Sequence, residues 1–133
     1  MLNQILLDSL YLDNNLFSGT LPTSLGNLAQ LENLLISNTL ITGPIPSTLG
    51  SLSNLQYLGL YSNPLTGTIP NDLGNLTQLY YLWISDTYLT FVVPSSLGSL
   101  SLLEYLYLDG NALSGRISPS LGNLVLLGNN QDL

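Results

Sequence analysis

Leucines fall along this chain at a spacing that neither a single helix nor a single strand explains. The pair Leu-Gly occurs at Leu25-Gly26, Leu49-Gly50, Leu73-Gly74, Leu97-Gly98 and Leu121-Gly122, a period of 24 residues with no insertion. On that period the other apolar positions align in columns: Leu7, Leu31, Leu55, Leu79 and Leu103; then Leu10, Leu34, Leu58, Leu82 and Leu106; then Leu12, Ile36, Leu60, Ile84 and Leu108. Within each unit the LxL alternation has the period of two expected of a short strand with one face inward. A lone strand of this kind cannot bury that face, so the units must stack on one another.

After each predicted strand comes a polar column, Asn15, Thr39, Asn63, Thr87 and Asn111. Here the chain must turn inward, which carries backbone N–H and C=O groups into the coil away from water. An Asn amide offers two donors and an acceptor, so a stack of amides can satisfy these groups rung after rung. Threonine is shorter and serves the same place less completely. The spellings alternate: LDNN, LYSN and LDGN end the odd units, ISNT and ISDT the even ones, so the chain is built from 48-residue pairs.

The unit LxxLxLxx(N/T), followed by a Gly, a Pro and the Leu-Gly pair, resembles the plant-type leucine-rich repeat over about residues 7 to 127. The resemblance implies an α/β-type repeat, a right-handed leucine-rich-repeat solenoid of about five repeats, with a parallel concave sheet and a short 3-10 or loop convex side. The repeats are placed at about 7–30, 31–54, 55–78, 79–102 and 103–127 of one domain spanning 1–133, with a frayed tail at 128–133. The Ser-x-Thr spelling with TGPIP at 42–46 also looks like repeats of plant polygalacturonase-inhibiting proteins.

The Ile-Pro pairs at Ile45-Pro46 and Ile69-Pro70, with Leu21-Pro22 and Val93-Pro94, mark the return path, since proline lacks an N–H and prefers extended backbone. Gly19, Gly43, Gly67 and Gly115 precede them, where the chain is expected to bend too tightly for a Cβ. Repeat four places Phe91 in that column, and repeat five has Ser118 for the proline, with Pro119 following. Drift on an outer surface and an exposed apolar contact site at Phe91, Val92 and Val93 are both open readings.

Residues between the strand leucines are expected to face solvent on the concave side. They form three columns: Ser9, Asn33, Tyr57, Tyr81, Tyr105; Tyr11, Leu35, Gly59, Trp83, Tyr107; and Asp13, Ser37, Tyr61, Ser85, Asp109. Strands about 4.8 Å apart would bring Tyr57, Tyr81 and Tyr105 into a ladder, with Trp83 and Tyr107 beside it. Aromatics with polar tips suit recognition surfaces, although Tyr is also a good strand residue that stacks across rungs. The predicted ligand-binding set is Tyr57, Tyr61, Tyr81, Trp83, Tyr105, Tyr107 and Asp109.

Charge narrows the partner. Eight carboxylates stand against one cation, Arg116, for a net charge of −7. That disfavours nucleic acid and anionic lipid surfaces, both of which need Lys and Arg. Without cysteine or histidine there is no thiol nucleophile and no His-based acid–base or zinc chemistry. Asp8, Asp13, Glu32, Asp86, Glu104 and Asp109 fall on the concave face or its flank, and Asp8 and Glu32 share a column. Side-by-side carboxylates on an open sheet lack the enclosing cleft that glycoside hydrolysis requires. A shallow calcium site is an equally weak reading. No enzyme activity, cofactor or metal is therefore expected.

A partner with a basic or hydroxyl-rich surface is the better match. The expected function is protein or peptide binding, as the resemblance implies; the alternatives are carbohydrate or cell-wall recognition with sugars stacked on Trp83 and Tyr107, or a fragment of a larger receptor. Ice binding by regular threonines is disfavoured because Thr39 and Thr87 should point inward.

No apolar run approaches the roughly 18 residues of a membrane span. MLNQILLDSL lacks the basic region of a signal peptide, while the family resemblance implies an extracellular or cell-surface setting. Met1 to Leu6 fit the repeat only roughly, Asn130 and Asp132 stand where leucines should continue, and no capping module is visible. These ends read as a fragment open to end-to-end self-association. A sequon, Asn75-Leu76-Thr77, falls on the expected convex side.

Overall fold

A computed structural model describes residues 6–125. The tail expected at 128–133, with Asn130 and Asp132, and all but the last residue of Met1 to Leu6 lie outside the described residues. Ten short strands follow one another: β1 (Ser9–Tyr11), β2 (Ser18–Thr20), β3 (Asn33–Leu35), β4 (Leu40–Thr42), β5 (Tyr57–Gly59), β6 (Thr66–Gly67), β7 (Tyr81–Trp83), β8 (Tyr88–Phe91), β9 (Tyr105–Tyr107) and β10 (Ala112–Leu113). The odd-numbered strands form one parallel five-stranded sheet in the order β1-β3-β5-β7-β9. Its register keeps the sequence period, with Ser9 opposite Asn33, Asn33 opposite Tyr57, Tyr57 opposite Tyr81 and Tyr81 opposite Tyr105. The even-numbered strands pair in parallel on a second, lateral side, as β2-β4 and β6-β8-β10.

The leucine columns become the core. Leu31, Leu34, Leu55, Leu58, Leu60, Leu79 and Leu82 have no exposed surface, and Leu10, Leu12, Leu106 and Leu108 of the outer rungs pack against them partly buried. Each fully buried leucine is worth about 2 kcal/mol over an exposed one, which is how units with no core of their own become stable by stacking.

Opposite the long sheet, each rung turns through a 3-10 helix: Thr23–Asn27, Ser47–Ser51, Asn71–Asn75, Ser95–Ser99 and Pro119–Asn123. Extended Pro22, Pro46, Pro70 and Pro94 stand immediately before the first four. Ser118 takes that place in the fifth and accepts a hydrogen bond from the Ser120 N–H instead. The Leu-Gly pair now has a physical cause. A Cβ on Gly26, Gly50, Gly74 or Gly98 would lie 2.3, 2.3, 2.6 or 2.4 Å from a backbone oxygen of the next rung. Hydroxyls stitch the same side together, since Thr48, Ser96 and Ser120 donate to the carbonyls of Thr23, Asn71 and Ser95.

The Asn/Thr alternation resolves into a two-rung unit. Asn63 Nδ2 donates within its own rung to Leu60 O and Tyr61 O, at 2.9 and 3.3 Å, and back one rung to Ile36 O at 2.6 Å. Its Oδ1 accepts from the Thr39 N–H at 3.2 Å and from the Thr39 hydroxyl. Asn111 repeats this with Leu108, Asp109 and Ile84 as acceptors and the Thr87 hydroxyl as donor, the backbone donor here being the Leu89 N–H. One long amide thus serves two rungs, and the shorter threonine completes rather than replaces it. Thr39 and Thr87 are buried, pointing inward as expected. Among the described residues, no helix is long and apolar enough to cross a membrane.

Candidate functional site

On the outer face of the five-stranded sheet, the period of two turns every other strand residue away from the leucine core. The rings predicted to gather there do so. Tyr57 and Tyr81 stack with centroids 4.6 Å apart and planes 12° from parallel, and Tyr81 lies 5.1 Å from Tyr105. Trp83 stacks on Tyr61 at 3.9 Å and lies 5.6 Å from Tyr107. Tyr81 touches both groups, at 6.1 Å from Trp83 and 5.7 Å from Tyr107, so six rings form one connected surface. All but Tyr107 are partly buried, and Tyr107 is exposed. Asp109 is exposed at the end of this surface and accepts a hydrogen bond from the Ser85 hydroxyl.

Two expectations for this face are corrected. Ser37 and Ser85, placed among the solvent-facing residues, are 0% and 2% exposed. A serine is short, and its neighbours in the column are tall: Asp13 and Tyr61 flank Ser37, and Tyr61 and Asp109 flank Ser85. Gly59 is buried as well. A Cβ there would lie 2.4 Å from Leu35 Cδ1 and 3.2 Å from Tyr57 Cε1, so neighbouring side chains lean into the space it leaves. Ser85 has Asp109 one rung on to receive its hydroxyl, but Ser37 faces Tyr61 in the equivalent place, and its buried Oγ has no partner. An unmade hydrogen bond of this kind costs about 1–3 kcal/mol.

Tyr80, next to the first column and outside the predicted set, extends the surface edge-on, its ring 5.6 Å from Tyr105. Loss of solvent, followed by the neighbouring Tyr57, Tyr107 and Tyr105, pushes the Tyr81 phenol up to about 12. Burial first, then Tyr61, Tyr11 and Asp13, also raise Tyr57. The fold therefore favours protonated Tyr81. Its contribution to stability is complete below pH 10 and lost as pH climbs through about 12. Titration of phenolate absorbance should show a late step near pH 12 that disappears in Tyr81→Phe; a late step unchanged in that variant would contradict the arrangement.

A coil of leucine rungs with an open aromatic sheet face and an Asn ladder defines a leucine-rich-repeat solenoid. The family model described as Leucine Rich Repeat matches residues 6–28, 30–52, 54–76 and 102–124, and the chain belongs to that family. A search of curated proteins finds no significant match.

Among solved structures, the chain is similar to the Arabidopsis receptor kinase HAESA in complex with the peptide hormone IDA and the co-receptor SERK1. The two are 40% identical over 90% of this chain and 20% of that one, with a TM-score of 0.88. It is likewise similar to the plant peptide hormone receptor RGFR1 in complex with RGF2, at 40% identity over 91% of this chain and 19% of that one, TM-score 0.89. A plant ice-binding protein is 33% identical over 84% of this chain and 36% of that one, TM-score 0.77. The chain thus spans about a fifth of the length of the two receptor chains.

Proposed function

We propose that this chain is a non-catalytic peptide-binding module and that the aromatic face of the five-stranded sheet holds the ligand. The observation that carries the reading is the connected surface of Tyr57, Tyr61, Tyr81, Trp83, Tyr105 and Tyr107, confined to the last three rungs of the sheet. Rings already packed against one another lose little further entropy on binding and present apolar area with hydrogen-bonding tips, the profile of an interface hot spot. Support comes also from the similar receptors HAESA and RGFR1, which are seen in complex with peptide ligands.

The ligand is inferred to be basic. Asp13 and Asp109 belong to the sheet columns and Glu104 to the flank, while the sole cation, Arg116, follows β10 on the lateral side. A Lys or Arg side chain on this surface gains both a ring face and a nearby carboxylate.

Trp83 is the only tryptophan, so its fluorescence reports on this face alone. An arginine-containing peptide should shift the emission, with weaker binding at higher salt, and Tyr81→Ala should weaken it by roughly 30-fold, the loss of about 2 kcal/mol expected of a hot-spot ring. A response to neutral oligosaccharides but not to the peptide would replace the ligand class with carbohydrate. No response to either at millimolar concentration would remove the reading.

A further inference from the structure

Two departures from the repeat coincide between residues 77 and 101. The family match includes 54–76 and 102–124 but passes over this stretch. Within it, Phe91 occupies the column of Gly19, Gly43, Gly67 and Gly115 and shares their left-handed backbone, with φ +68° against +94°, +76°, +82° and +85°. A bulky L residue is strained there, and glycine is not.

Little burial offsets that strain. Phe91 is 65% exposed, beside Tyr88 at 67% and Val92 at 49%. Strain kept without a return inside the fold marks a group held for something outside it.

What adjoins Phe91 indicates the partner. β8 and β10 pair with Leu113 opposite Phe91, and a Cβ on Gly115 would sit 3.6 Å from the Val92 Cβ, so the lateral surface is continuous from one rung to the next. Next to it is a shallow hollow of about 240 Å³ lined by Val93, Leu113, Ser114, Gly115, Arg116 and Ile117. Arg116 is the single cation of a chain with eight carboxylates. No ion pair to it is seen among the described residues. A guanidinium at the rim of an apolar hollow is suited to grip a carboxylate with two parallel hydrogen bonds. A short segment with one carboxylate is a better occupant than a second copy of this chain, since a whole copy brings a net charge of −7 against another −7 where a segment brings only the charge that Arg116 meets.

We infer that this lateral patch is a second docking site, for a segment of a partner protein that seats an apolar side chain against Phe91 and the hollow and gives a carboxylate to Arg116. The site lies apart from the aromatic sheet face, and its chemistry is opposite: an acidic, apolar segment instead of a basic one.

Amide chemical shifts of the isotopically labelled chain, followed at about 0.15 M salt to screen the net charge, test it with an acetylated Leu-Glu hexapeptide and its Leu-Lys counterpart. The Leu-Glu peptide should move Phe91, Val92, Gly115 and Arg116 while leaving the Trp83 indole in place, and the Leu-Lys peptide should not. Arg116→Gln should weaken the response about tenfold with no change in melting temperature. Phe91→Gly should weaken it similarly yet melt no lower than the parent, because relief of strain offsets the more flexible unfolded chain. Tyr81→Ala should leave the response intact, which separates this site from the aromatic face. Binding unaffected by either lateral variant, a clear drop in the melting temperature of Phe91→Gly, or shifts at the patch that grow with protein concentration in the absence of peptide would each overturn the inference.

Discussion

Replacing Asn63 with alanine should lower the unfolding free energy by about 3–5 kcal/mol, a drop in melting temperature of roughly 10–20 °C for a domain of this size. The side chain is 3% exposed. Its amide satisfies the carbonyls of Ile36, Leu60 and Tyr61, and its oxygen receives the N–H and hydroxyl of Thr39. Tyr61 O keeps the Asn38 N–H, but alanine leaves the buried Ile36 and Leu60 carbonyls and the Thr39 N–H and hydroxyl without Asn63, and each buried polar group left unpaired costs about 1–3 kcal/mol. Among the described residues, the Asn15 side chain bonds only within its rung, to Leu12 O and Asp13 O, and it is exposed. Asn15→Ala should therefore cost about 1 kcal/mol or less. Thermal unfolding followed by circular dichroism compares the two, and equal losses would show that the amide does not couple neighbouring rungs.

Gly50→Ala should cost about 3 kcal/mol by overpacking. The new methyl would lie 2.3 Å from Asp72 O and 2.7 Å from Asp72 C, both backbone atoms that no rotamer change can move. Rungs two and three would have to separate, and every leucine column crossing that gap would loosen. Gly122 is the control: among the described residues nothing lies within 4 Å of a Cβ there, so Gly122→Ala should be neutral or slightly stabilising. Chemical denaturation of the two variants measures the contrast; a Gly50→Ala chain as stable as its parent would mean that the close approach of rungs is not what the Leu-Gly pair provides.

The architecture was legible because every rung repeats the same physical problem. A buried leucine at position 34 implies one at 58 and at 82, and the register of the sheet follows with no further information. The aromatic surface was legible for the same reason, since the strand period sends Tyr57, Tyr81 and Tyr105 to one face. What the period could not reveal depends on heights and reach within a column. Ser37 and Ser85 share a face with Tyr61, yet taller neighbours close over them. Asn63 and Thr39 share a column, yet only the longer amide spans two rungs. Phe91 could be seen to break the glycine column, but its left-handed backbone shows that the chain kept the bend and accepted the strain.

The contact that joins the repeat to the aromatic face is the stack of rings 24 residues apart. Through-space magnetisation transfer between aromatic ring protons measures it directly. Strong transfer is expected between Tyr57 and Tyr81 and between Tyr81 and Tyr105, whose centroids lie 4.6 and 5.1 Å apart. Absence of both signals, in a chain whose Leu58 and Leu82 methyls remain in contact, would mean that the rungs stack without forming the aromatic surface.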